Sequence, residues 1–185
     1  MKMEFNDAVK EIALPELSSF GFIIKEESKG YIKFFSTNLA ISFIYDYSRT
    51  EASGVNISLV ENKDYNFNTL TYYEFLTIKK KEEPKLNVLG EGHCKWIKWN
   101  LALLKLDGAL LLKGNKFYFF EVYEFLLKKS HNYTENIRLR TLIREIDQAW
   151  QKRDYPQIVE LIKDDYDNLS PAYQKKYEYA LKKVL

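Results

Sequence analysis

The feature that most constrains this chain is a change of hydrophobic period near residue 66. From Phe22 to Glu61 the apolar residues fall into short runs separated by turn residues. From there to Leu185 they recur at helical spacing. Alternation is clearest in Leu39–Ser48: Leu39, Ile41, Phe43, Tyr45 and Tyr47 share one face, and Ala40, Ser42, Ile44, Asp46 and Ser48 the other. Val55, Ile57 and Leu59 repeat the pattern after the Arg49–Gly54 turn. With Phe22–Glu26 and Tyr31–Ser36, these runs predict an antiparallel meander of about four strands with one buried face. A helix over about Met3–Phe20, carrying Phe5, Val9, Ile12 and Leu17 on one side, is its expected cover, and Pro15 is a possible kink in it.

The remainder reads as helices. Thr71-Tyr72-Tyr73-Glu74 fits a capping box. The tract 62–68 is a polar loop. The charged stretch 79–84 reads as a linker, and a boundary near residue 82 divides an α+β sheet domain, 1–82, from a helical region, 83–185, with one shared core as the alternative. Trp96, Trp99, Leu103, Leu106 and Leu110 line one face of a helix that starts near Gly92 and ends at Gly114. Further helices are expected over 117–129, from Thr134 through Trp150, after Pro156 and after Pro171. The fold class is therefore α+β: an N-terminal helix and a meander, then an all-helical C-terminal half.

Composition narrows the function. The formal net charge is +2, and no segment concentrates positive charge as a phosphate-backbone binder does. With one cysteine, Cys94, no intramolecular disulfide forms, which suits a reducing compartment. The N-terminus has no apolar core of signal-peptide type, and no apolar stretch is long enough to span a bilayer. A cytoplasmic protein is expected. The abundance of Tyr, Lys and Asn is that of an AT-rich, bacterial coding sequence.

No motif nominates a catalytic residue, a cofactor or a metal. Two histidines and one cysteine are too few for a four-ligand zinc site. Asp64-x-Asn66-x-Asn68 opens like a calcium loop but has Thr69 at the sixth position and Phe75 at the twelfth. Gly90-x-Gly92 lacks a third glycine. His93 and Cys94 are neighbours whose side chains diverge on a helix, so they read as a helix-start residue and a small apolar filler. The candidate recognition patch is Tyr45, Asp46, Tyr47, Arg49 and Glu51: aromatics and charges at one strand end, whose bland reading is a solvated hairpin.

The stretch ELSSFGFIIKEESKGYIKFFSTNLAISFIYDYSRTEASGVNISLV, with Asn68-Thr69-Leu70-Thr71-Tyr72-Tyr73-Glu74-Phe75-Leu76, resembles small bacterial α+β proteins of the kind that includes immunity proteins encoded beside polymorphic toxins. The resemblance covers about residues 11–76 and implies an α+β fold and a protein partner; it transfers no functional residue. Ala149–Tyr155 and the helix after it are similar to one tetratricopeptide-type hairpin, where a solenoid needs three or more. The leading expectation is a non-enzymatic, immunity-like protein-binding module. Two alternatives stay open: a nucleic-acid-associated regulator using Lys175, Lys176, Lys182 and Lys183, and an enzyme whose site is formed only in space.

Overall fold

The computed structural model describes residues 3–47, 53–86 and 88–185. Helix α1 (Phe5–Ser18) is followed by strands β1 (Ile23–Ser28), β2 (Tyr31–Phe35), β3 (Leu39–Tyr45), β4 (Ser53–Leu59) and β5 (Asn66–Asn68). Helices α2 (Thr69–Lys80) and α3 (Gly92–Leu104), a single turn α4 (Leu106–Ala109), and helices α5 (Lys116–Lys152), α6 (Tyr155–Ile162) and α7 (Pro171–Val184) complete the order. The chain divides into two compact units, Met1–Leu127 and Lys128–Leu185, the division falling within α5. The charged stretch 79–84 lies inside the first unit, and α2 runs through Lys80.

In the first unit the fold is the expected α+β, with one strand more than the sequence suggests. The sheet is an antiparallel meander in the order β1-β2-β3-β4-β5. Register aligns Ile32 with Phe43, Phe34 with Ile41, Phe43 with Val55, Ile41 with Ile57 and Ile57 with Phe67. All of these are buried. They form one apolar face, because alternate residues of a strand share a side of the sheet. α1 supplies Phe5, Ala8, Val9, Ala13 and Leu17 to the same core at helical spacing. It passes through Pro15 without ending there. Ile97, Leu101, Leu103 and Leu104 of α3 and Phe119 and Val122 of α5 join that core. Strand β1 is an edge, and it is blunted: its register shifts between Ile24 and Glu26, and it carries Lys25, Glu26 and Glu27, devices that discourage pairing with another chain.

Three local details depart from the sequence reading. The tract 62–68 contains strand β5, short but paired to β4 through Phe67. The cap of α2 is Asn68, whose side chain accepts from the Thr71 N–H at 2.8 Å, so Thr71 lies in the first turn and is not the cap. The leucine-rich helix stops at Leu104: Asp107, Gly108 and Ala109 all have positive φ (54°, 67° and 56°), a conformation that ends a right-handed helix.

In the second unit, Ile146, Ala149, Ile158, Ile162, Leu169 and Ala180 form a separate core, edged by Trp150, Tyr155, Tyr173 and Tyr177. Residues 116–152 are one helix where two were expected, since no glycine or proline interrupts them. Asp154 caps α6 by accepting from the Gln157 N–H at 3.1 Å, and Pro156 and Pro171 sit in first turns, as their positions in the sequence predict. Arg138 grips Asp165 with both terminal guanidinium nitrogens, at 2.6 and 2.7 Å. No helix among the described residues is long and apolar enough to cross a membrane.

Candidate functional site

Where β3 ends, the N-termini of α1 and α3 meet it, and the three enclose a cleft of about 730 Å³. That volume lies in the range of small-molecule pockets, roughly 300–1,000 Å³. Its walls are Glu4, Tyr45, Tyr47, Glu91, His93 and Cys94, with Met3 and Gly92. Glu4 and Glu91 are the residues that precede each helix. Both are extended, and neither side chain folds back to cap its own helix.

The cleft rests on a stack of rings. Phe5, fully buried, lies against Tyr45 with centroids 5.4 Å apart and planes 25° from parallel. His93 meets Tyr45 edge-on at 4.5 Å and Phe5 at 5.6 Å. Tyr47 meets Tyr45 edge-on at 4.9 Å. These are favoured aromatic geometries, each worth about 0.5–1.5 kcal/mol beyond the area buried. A turn on the far side holds the strand end in place. The Tyr45 N–H donates to the Gly30 carbonyl at 2.7 Å, and the Gly30 N–H donates to Asn6 Oδ1 at 3.1 Å. The Asn6 amide in turn donates to the Ser28 carbonyl at 2.8 Å. Gly30 has φ +75°, which only glycine adopts without strain, and its missing side chain leaves the space taken by the Tyr45 carbonyl and the Tyr47 ring.

Partial burial and the Glu4 carboxylate, which accepts from its hydroxyl, raise the Tyr47 phenol above its ordinary range. Tyr47 thus stays a neutral donor at physiological pH. The Lys29 ammonium lies 5.0 Å from the Tyr47 ring centroid. The Glu91 side chain has no hydrogen-bond or ion-pair partner among the described residues, while its carbonyl accepts from the Lys95 N–H at 3.3 Å. No group of three or more His, Cys, Asp or Glu side chains among the described residues is placed to hold a metal ion.

Of the residues singled out in the sequence, Tyr45 and Tyr47 line the cleft together. Asp46, between them in the chain, is not part of its lining. Arg49 and Glu51 lie outside the described residues. The sequence reading missed Glu4, Glu91, His93 and Cys94 as lining residues. His93 and Cys94 do sit at a helix start and half-buried, as expected, but they also face the cleft.

Two other polar features lie in the first unit. A smaller cleft of about 260 Å³ lies beside Trp96, Trp99 and Asn100. Asn100 is buried and satisfied from within: it accepts from Thr69 Oγ1 at 2.6 Å and donates to the Trp96 carbonyl at 2.9 Å. The second feature fastens α2 and α5 to the left-handed turn. Tyr118 donates to Asp107 Oδ2 at 2.6 Å, Lys80 reaches Asp107 Oδ1 at 2.8 Å, and the Tyr72 hydroxyl lies 3.2 Å from that of Tyr118. With the Tyr118 proton committed to the carboxylate, Tyr72 is the donor between the two phenols. Burial pushes the Tyr72 phenol up to about 12 and raises that of Tyr118 as well.

Burial acts to raise the Asp107 carboxyl, but hydrogen bonds from Lys80 and Tyr118 and the charges of Lys80 and Lys79 outweigh it and hold the group below the usual carboxylate range. A depressed folded pKa means stability that is complete above the unfolded-chain value, about 3.9, and lost as pH falls through the folded value. Asp107→Asn tolerates the left-handed conformation and removes the charge. It is expected to be less stable than wild type at neutral pH, with the gap narrowing as pH falls below about 4. Urea unfolding midpoints across the acid range measure this; a gap that does not change with pH would contradict it.

The chain matches no protein-family model, no curated protein and no solved structure.

Proposed function

We propose that this chain is a non-enzymatic protein-binding module of the immunity-like kind its N-terminal half resembles, acting in a bacterial cytoplasm and engaging its partner at the Tyr45–Tyr47–His93 cleft. The observation that carries the reading is the pre-formed aromatic wall. Tyr45 and His93 are braced on Phe5, and Tyr47 on Tyr45, so they offer contact area with little conformational entropy left to lose on binding. Nucleic acid is the less favoured partner. On α7, Lys176 is taken up by Asp147 at 2.6 Å and by the rings of Tyr173 and Trp150, and Lys183 lies over Tyr179. Two of the four α7 lysines are engaged in this way, which leaves Lys175 and Lys182 exposed.

The test is affinity capture from the native host at moderate salt, with wild type and Tyr47→Ala side by side. Tyr47 is 47% exposed, so its truncation is expected to change stability by no more than about 0.5–1 kcal/mol. It is expected to weaken a stoichiometric protein partner more than about tenfold. Recovery of no such partner, or of one that binds the variant equally, refutes the proposal.

A further inference from the structure

Resting on that binding role, we infer that the cleft is a receptor for one cationic side chain, an ammonium or guanidinium group presented by the partner. Three observations converge. First, the polar wall is acidic: Glu4 and Glu91 stand at its two helix starts, and Glu91 is unpaired among the described residues. Second, Tyr45 and Tyr47 are part of the remaining wall, and aromatic faces attract cations through their negative quadrupole. The Tyr47 ring already takes the Lys29 ammonium on this principle. Third, the opposite choice of ligand is disfavoured by magnitude. A helix N-terminus carries roughly half a positive charge. Among the described residues each of these N-termini has a full carboxylate beside it, which outweighs its half charge and offsets its attraction for an anion. A cation meets the Glu4 and Glu91 carboxylates, beside a Tyr47 ring that already holds one ammonium. His93 closes the wall by its edge contact with Tyr45 and fixes that ring's orientation.

The experiment is a titration of the isotope-labelled full chain, followed by amide NMR, with N-acetyl-arginine amide, N-acetyl-lysine amide and N-acetyl-glutamine amide. Saturable shifts at Tyr47, Gly92 and His93 are expected with the cationic probes and not with the neutral one. The stronger of the two cations distinguishes a guanidinium site from an ammonium site. Glu91→Gln, at an exposed position without a partner, keeps the fold and is expected to weaken the cation by about threefold to tenfold. Equal shifts with all three probes, or none at these amides, overturn the inference. Its failure is separable from failure of the binding role. A captured protein partner that binds Glu91→Gln as well as wild type sinks the cation site alone. Saturable cation binding in a chain that captures no protein sinks the partner alone.

Discussion

Replacing Phe5 by alanine is expected to cost about 3–5 kcal/mol. The ring is fully buried and touches Tyr45, His93 and Trp96 at once. Its removal forfeits the transfer of an aromatic side chain and leaves a void that the sheet on one side and α3 on the other are too rigid to fill. Against a typical domain stability of about 5–15 kcal/mol, that is a large share. The midpoint of urea unfolding, followed by tryptophan fluorescence, measures it. Phe5→Leu separates volume from shape: it retains most of the apolar bulk, so its expected cost is below about 2 kcal/mol. It removes the flat surface on which Tyr45 rests, so partner binding is expected to fall even where stability holds. An alanine variant destabilised by less than about 1 kcal/mol would show that Phe5 is not part of the packed core.

Gly30→Ala is the second substitution with a large expected effect, about 2–4 kcal/mol. It combines the strain of a side chain at φ +75° with overlap onto the Tyr45 carbonyl and an approach to Tyr47 Cε2 of 2.9 Å. The carbonyl is backbone, so the clash is relieved only by moving the end of β3, and with it the two tyrosines. Loss of partner binding is expected to accompany the loss of stability. Gly54→Ala is the matched control. It lies in β4 opposite Ile44, and an added Cβ there meets nothing within 4 Å. That change is expected to be neutral, or stabilising by up to about 1 kcal/mol through the unfolded chain. Equal effects of the two substitutions would remove the steric account of Gly30.

Much of the fold was legible because apolar residues alternate along β3, although the structure also buries Ala40 and Ser42 between them, so this strand is covered on both faces and not on one. Leu39, Ile41 and Phe43 could be assigned to the core without coordinates, and the structure buries all three. β5 was not legible, since its three residues Asn66–Asn68 are polar on both sides of one phenylalanine. The cap of α2 was misplaced because two cap-compatible side chains, Asn68 and Thr71, stand a turn apart, and only geometry decides between them. The break at Asp107 carried a signal, an Asp-Gly pair, but the flanking leucines continue the helical period and obscure it. The cleft divides in the same way. Tyr45 and Tyr47 share a face by alternation alone. Glu4, Glu91 and His93 sit at helix starts far away in the chain, and nothing local marks them as neighbours of a strand end.

The position of Phe5 and Asn6 at the very start of α1 also bears on the order of events in folding. The meander is assembled from neighbouring hairpins whose closing loops are short. The cleft, by contrast, joins residues 4–6 with 30, 45–47 and 91–94. These are contacts of high sequence separation, which carry the larger closure entropy. An intermediate with the sheet formed and α1 undocked has no floor beneath Tyr45 and no clamp on the Gly30 turn. On the proposed binding role, recognition is coupled to completion of the native topology, and a nascent or partly unfolded chain is expected to be silent and not merely weak.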